Sequence, residues 1–201
     1  MSNLDATTLT LVRHGQTHDN AAGRWQGLRD SPLTAEGRAQ AQAAGARLQS
    51  LGPYNMVYSS LLPRAMETAR LIAATLGEVV RTEPGLEEYD FGEWDGLTPA
   101  ELLARGFWEK VRQDPEFAPP GGEAFSGAAR RVAAALRTIA ARHHGERVVI
   151  VGHGLTLAAA LAQLLDGDSR QAPRYALANG GIADLAMNGQ PQLRQLDPTI
   201  T

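Results

Sequence analysis

Two short apolar, β-branched runs end in the same way, and that recurrence constrains the fold more than any other feature of the chain. Thr8-Leu9-Thr10-Leu11-Val12 stops at Arg13-His14-Gly15, and Val148-Val149-Ile150-Val151 stops at Gly152-His153-Gly154. Continuous apolar runs of this length read as strands buried on both faces, the kind found in parallel sheets covered by helices. Open α/β sheets bind ligands in the crevice beyond the carboxyl ends of their strands. Each run therefore presents an imidazole to that crevice, and the first adds a guanidinium. The echo is too short to be an internal repeat.

Between the two runs the chain alternates strand-like and helix-like stretches. Thr34 is placed to N-cap a helix reaching about Gly52, with Ala39, Ala43 and Leu48 as its inward stripe. Met56-Val57-Tyr58 reads as a strand, and Pro63 suits the first turn of a helix that places Arg64 near an anion-favouring N-terminus. Val79-Val80-Arg81 reads as a third strand, leading into an acidic, aromatic loop from Gly85 to Gly96. Thr98-Pro99-Ala100-Glu101 is a capping box. From about Ser126 a helix runs with Val132, Leu136 and Ile139 inward, and His143 and His144 beside Gly145 fit its C-terminal dipole. After Leu155–Leu165, Ile182–Ala186 and Leu193–Leu196 should pair around Asn188-Gly189. Strands alternating with long helices imply a three-layer α/β sandwich. Its sheet is mostly parallel, helices cover both faces, and the active site lies at the carboxyl ends of the strands. The expectation is a single domain over residues 1–201, with a mobile flap at about 107–125, where aromatics mix with Pro119, Pro120, Gly121 and Gly122.

Composition narrows the partners. The chain has 201 residues, 43% hydrophobic and 20% charged, which suits a soluble globular domain. A net charge of -3 gives no reason to expect nucleic acid or an acidic membrane as partner. Without cysteine there is no disulfide and no thiolate metal site. The start, Met-Ser-Asn-Leu-Asp-Ala, lacks the basic and apolar regions of a signal peptide, and no run is long enough to span a membrane. Cytoplasmic localisation follows as the expectation; oligomeric state is not legible.

Taken singly, His-Gly at a strand end or an arginine near a helix start is ordinary. Their convergence is not. Arg13, His14, Arg64, Glu88 and His153 each follow a strand and could face one crevice. Two guanidiniums match phosphate oxygens. A neutral imidazole can attack phosphorus while a second donates to its oxygens. A carboxylic acid can protonate the departing alkoxide and later deprotonate water. Such a set supports phosphoryl transfer without a metal or other cofactor, the arginines stabilising the charge. One tension is that Glu88 beside two arginines favours its ionised form, and a bound phosphate dianion would offset this.

At these residues the chain resembles the histidine phosphatase superfamily, in its phosphoglycerate-mutase-like branch. The resemblance runs through Arg13-His14-Gly15-Gln16-Thr17, Trp25-Gln26-Gly27, Asp30-Ser31-Pro32-Leu33-Thr34, Ser59-Ser60-Leu61 with Arg64, Leu86-Glu87-Glu88, Phe91 to Gly96, Pro120 to Glu123, and Val151 to Gly154. It implies that His14 is the phosphorylated nucleophile, that Arg13, Arg64 and His153 form the phosphate pocket, and that Glu88 rather than Glu87 is the proton donor. Spacing alone does not choose between the two histidines. It further implies that Asn20, Gln26, Gly27 and the backbone of Gly154 and Leu155 contact the phosphoryl group or substrate. Two departures stand out. Leu155 and Ala158 occupy places where many relatives carry Gly and Arg, and Asp95 stands where Glu is more usual. The expected activity is hydrolysis of a small phosphorylated metabolite, with mutase-type transfer as one alternative and a non-catalytic phosphoester-binding module as another. Arg105, Lys110 and Arg112 lie among Phe107, Trp108, Phe117 and Phe125, and this aromatic content argues for a less polar substrate or a promiscuous pocket.

Overall fold

Six strands, β1 (Thr7–Arg13), β2 (Met56–Ser59), β3 (Val80–Thr82), β4 (Arg147–Gly152), β5 (Ile182–Met187) and β6 (Gln192–Leu196), form one sheet ordered β3-β2-β4-β1-β5-β6. They are seen in a computed structural model that describes residues 6–197; residues 1–5, on which the signal-peptide expectation rests, lie outside the described residues. Strands β3, β2, β4 and β1 are mutually parallel, while β5 and β6 add an antiparallel edge. Gly189, at φ +74°, makes the turn between β5 and β6, a backbone state that favours glycine.

The central strands alternate their side chains between two cores, as a sheet covered on both faces requires. Leu9, Leu11, Tyr58, Val148 and Ile150 pack on one face with α6 (Phe125–Arg142) and α7 (Gly154–Leu165). Val12, Val57, Val149 and Val151 pack on the other with α2 (Ala35–Ser50) and α3 (Pro63–Leu76). Two short helices, α1 (His18–Ala21) and α4 (Pro99–Ala104), lie in the connections between strands. The parallel register pairs Arg13 with Gly152, so β1 and β4 end level and their histidines emerge side by side. Among the described residues, no helix is long and apolar enough to cross a membrane.

One sequence expectation about packing is corrected. The buried stripe of α2 is Gly37, Ala41, Ala44, Gly45 and Leu48, whereas Ala39 and Ala43 are exposed. Alanine on nearly every side leaves the helix phase undetermined by periodicity, and close approach sets it instead. A Cβ on Gly37 would lie 2.0 Å from the Gln16 carbonyl oxygen, and one on Gly15 2.1 Å from that of Gly37. The glycine pair thus lets the start of α2 abut the loop leaving β1. Residues 107–125 include α5 (Phe107–Gln113). Phe107, Val111 and Phe125 belong to the main core, and Phe117 packs against it. Those aromatics serve the fold. His143 closes α6 at its C-terminus, bonded to Tyr58 and Glu146.

Candidate active site

The carboxyl ends of β1, β2 and β4 deliver the crevice floor. His14 and His153 meet there with ring centroids 5.3 Å apart. His14 is 3% exposed, and Arg64 and His153, at 1% and 0%, lie behind it. A cavity of about 550 Å³ opens above, lined at its inner end by Arg13, His14, Gln26, Glu88 and Gly154.

The neighbours of His14 leave its ring a single protonation state. Nδ1 lies 2.8 Å from the Gly15 carbonyl oxygen, which can only accept, so Nδ1 carries the proton. Arg64 Nε donates to Nε2 at 3.3 Å, and a guanidinium can only donate, so Nε2 keeps its lone pair. Burial, and then the charges of Arg13 and Arg64, hold the imidazole well below its usual titration range. His14 is a neutral imidazole whose unprotonated Nε2 accepts from Arg64.

His153 is tuned through Ser60. Its Nε2 lies 2.6 Å from Ser60 Oγ, which also accepts from the Leu62 N–H at 3.3 Å. Among the described residues the Ser60 hydroxyl proton has no other acceptor, so it goes to Nε2 and the ring proton sits on Nδ1. Burial first, then Arg64, His14 and Arg13, keep this ring neutral as well. His153 Nδ1, Arg13 Nε and Gln26 Nε2 are all buried without an acceptor. Buried orphan donors are rare in folded proteins. Two of them belong to Arg13 and Gln26, which line the cavity beside His14, and unpartnered donors there suit an anion.

The arginines are held by backbone carbonyls. Arg64 donates from Nη2 to Gly27 and from Nη1 to Arg29, both at 2.8 Å, with Asp30 at 3.5 Å. Arg13 Nη1 donates to the Leu177 carbonyl at 2.7 Å. A Cβ on Gly154 would lie 2.9 Å from Arg13 Nε, so the glycine lets the guanidinium lie across the start of α7. Burial lowers the pKa of both arginines, and the carboxylate of Glu88 counteracts it.

Glu88 sits on the cavity wall, 5% exposed. Its Oε1 accepts from the N–H groups of Thr156 (3.0 Å) and Tyr89 (2.9 Å), and Oε2 from that of Leu155 (3.1 Å). The N-terminus of α7 thus holds the carboxyl group on the cavity wall. Leu155, whose N–H bonds to Glu88, also lines the cavity. Glu87 accepts from the Gly85 N–H and lies 3.8 Å from Arg131. Asn20 lines the cavity, its Oδ1 accepting from Asn179 Nδ2 at 3.1 Å.

Several contributors escaped sequence reasoning. Asn179 also donates to the His14 carbonyl at 3.0 Å. Arg131 donates to the carbonyls of Gly85 and Glu87, supporting the Glu88 loop, and pairs with Glu123 at 2.6 Å. Asp95 accepts from the N–H groups of Gly27 (2.9 Å) and Arg29 (3.1 Å), the residues whose carbonyls hold Arg64. Of the aromatics expected at the pocket from 107–125, only Trp108 lines it, and Arg105, Lys110 and Arg112 do not. Arg105 lies over Trp94, and Lys110 over Phe117. No group of three or more His, Asp or Glu side chains among the described residues is arranged to hold a metal ion.

Comparison with known proteins gives this geometry relatives. A family model described as the histidine phosphatase superfamily (branch 1) matches residues 9–196. The bifunctional protein Rv2228c of Mycobacterium tuberculosis is 34% identical over 197 residues, 96% of this chain and 54% of that protein. The chain therefore spans about half the length of that relative. A 2,3-bisphosphoglycerate-dependent phosphoglycerate mutase of Methylobacterium sp. is 38% identical over 168 residues, 79% of this chain and 80% of the mutase. The solved structure of mycobacterial glucosyl-3-phosphoglycerate phosphatase is similar with a TM-score of 0.83 and 32% identity, covering 96% of this chain and 100% of that one.

Proposed function

This chain belongs to the histidine phosphatase superfamily, and from that premise we propose that it hydrolyses the phosphomonoester of a small metabolite through a phosphohistidine. The observation that carries the reading is the fixed state of His14, a neutral ring with its Nε2 lone pair at the floor of a cavity rimmed by unpartnered donors. Nε2 attacks phosphorus as the ester P–O bond breaks, and Glu88 in its acid form protonates the departing alkoxide. Water then attacks the phosphohistidine, gives its proton to Glu88, and releases phosphate and free Nε2. Arg13, Arg64 and the Nδ1–H of His153 stabilise the charge on the transferring group, the role a metal plays elsewhere.

The similarity to a phosphoglycerate mutase supports a second reading, in which a closed cavity returns the phosphoryl group to another hydroxyl. The breadth of the cavity, about 550 Å³, favours water access and hence hydrolysis. Incubation with p-nitrophenyl phosphate is expected to release p-nitrophenol, with an acid-labile phosphoenzyme that His14→Ala abolishes. Glu88→Gln should slow alkyl phosphates more than aryl ones, because a good leaving group needs less protonation. Strong isomerisation of 3-phosphoglycerate in the presence of 2,3-bisphosphoglycerate would favour the mutase. No turnover of any ester at any pH would favour a binding module.

A further inference from the structure

The cavity above His14 is far larger than a phosphoryl group needs, and its walls change character outward. The inner end holds the charged and hydrogen-bonding groups. Beyond it, Trp25, Phe91 and Trp108 supply aromatic surface as parts of one cluster, Trp25 lying 5.8 Å from Phe91 and 6.0 Å from Trp108 between ring centroids. Leu155 and Ala158 of α7, with Leu177, supply aliphatic surface. Among the described lining residues, the only cation besides Arg13 is Arg24, which is exposed and donates from Nη1 to the Gly96 carbonyl at 3.0 Å. Glu88 adds a carboxyl group to the same enclosure.

We propose that this outer chamber is a leaving-group subsite for uncharged, ring-bearing alcohols, so that apolar phosphomonoesters are preferred over phosphorylated hydroxy acids. The inference rests on the hydrolase reading for its chemistry but on the chamber walls for its selectivity. A ring entering the chamber gains by leaving water for aromatic and aliphatic surface. A carboxylate entering it loses hydration, meets no buried cation beyond the arginines that serve the phosphoryl group, and faces Glu88. Ala158 is decisive in this respect, because a cation at that point of α7 would supply the missing counter-charge.

The test compares kcat/KM for benzyl phosphate with O-phosphoserine and 3-phosphoglycerate, all of which have alkyl leaving groups. Benzyl phosphate is expected to lead by at least about tenfold, the scale of discrimination an apolar pocket supplies. Trp108→Ala should lower the ratio of benzyl phosphate to glycerol phosphate efficiencies by about tenfold, and Ala158→Arg should shift preference toward the carboxylate esters. Equal or greater efficiency on phosphoserine or 3-phosphoglycerate in the wild type would overturn the subsite. So would a Trp108→Ala enzyme whose ratio is unchanged. Calorimetry with benzylphosphonate and 3-phosphonopropionate separates the two levels of inference. Tighter binding of benzylphosphonate without turnover of any ester would sink the hydrolase reading and keep the subsite; hydrolysis with the reverse preference would do the opposite.

Discussion

At the level of single residues, protonation is decided by what each neighbour is able to do. Gly15's carbonyl and Arg64's guanidinium have one role each, and between them they leave His14 one tautomer. Burial and two positive neighbours keep it neutral well below the usual imidazole range. The acid limb of kcat/KM should therefore lie well below pH ~6.5, the ordinary histidine value; a midpoint near that value would contradict the assignment. Stability follows with a definite sign. In the unfolded chain both His14 and His153 titrate near pH ~6.5, whereas folded they resist protonation, so unfolding takes up protons as pH falls below that value. Stability should decline as pH drops from there toward the lowered folded values and be unaffected by these groups above it. Denaturant titrations of His14→Gln should show one proton less of uptake. Ser60 is a positioning residue for His153. Ser60→Ala should shift the tautomer seen by 15N NMR and lower kcat by about tenfold or more, in line with ~1–3 kcal/mol for a lost buried hydrogen bond. An unchanged tautomer together with unchanged kcat would remove Ser60 from the site.

At the level of elements, the loop from Gly27 to Asp30 works as a clamp on the first turn of α3. Asp95, beyond the Gly92–Trp94 turn, gathers the Gly27 and Arg29 N–H groups, and the carbonyls of the same two residues grip Arg64. Asp95→Asn keeps one acceptor and turns the other into a donor facing an N–H. It should weaken inhibition by vanadate about tenfold, a change on the scale of one charge-assisted hydrogen bond. Asp95→Glu should keep most of the affinity, since it retains both acceptors. Equal vanadate inhibition in wild type and Asp95→Asn would show that Arg64 needs no such clamp. The capping box at Thr98, the hairpin around Asn188-Gly189 and the strand ends at His14 and His153 were legible because each depends on chemistry within a few residues. The phase of α2 was not, because a helix of Ala, Gly and Gln is nearly symmetric until a neighbour is pressed against it.

At the level of the whole molecule, the aromatics of 107–125 are part of the larger core or pack against it. Phe107 is 0% exposed and lies 5.6 Å from Phe91, 5.9 Å from Tyr89 and 6.3 Å from Phe125 between ring centroids. Phe107→Ala should destabilise the fold globally by about 3–5 kcal/mol, read as an earlier cooperative transition in denaturant. If only residues 107–125 lost protection in hydrogen exchange, with the global midpoint unmoved, the segment would instead be a flap that opens on its own.

The sequence by itself determined the parallel sheet, the sites where β1 and β4 end, and the identities of the groups converging beyond them. Those follow from local apolar patterning and from residue chemistry that does not depend on neighbours. Tertiary structure decided everything that needs two distant segments in contact. It chose the tautomers of His14 and His153, tied Glu88 to the start of α7, and linked Asp95 to Arg64 through a loop. It also moved most of the 107–125 aromatics from the pocket to the core, leaving Trp25, Phe91 and Trp108 as the aromatic wall of the cavity. A hydrophobic side chain signals that it will be buried; only the packed chain settles whether it is buried by protein or left to receive a substrate.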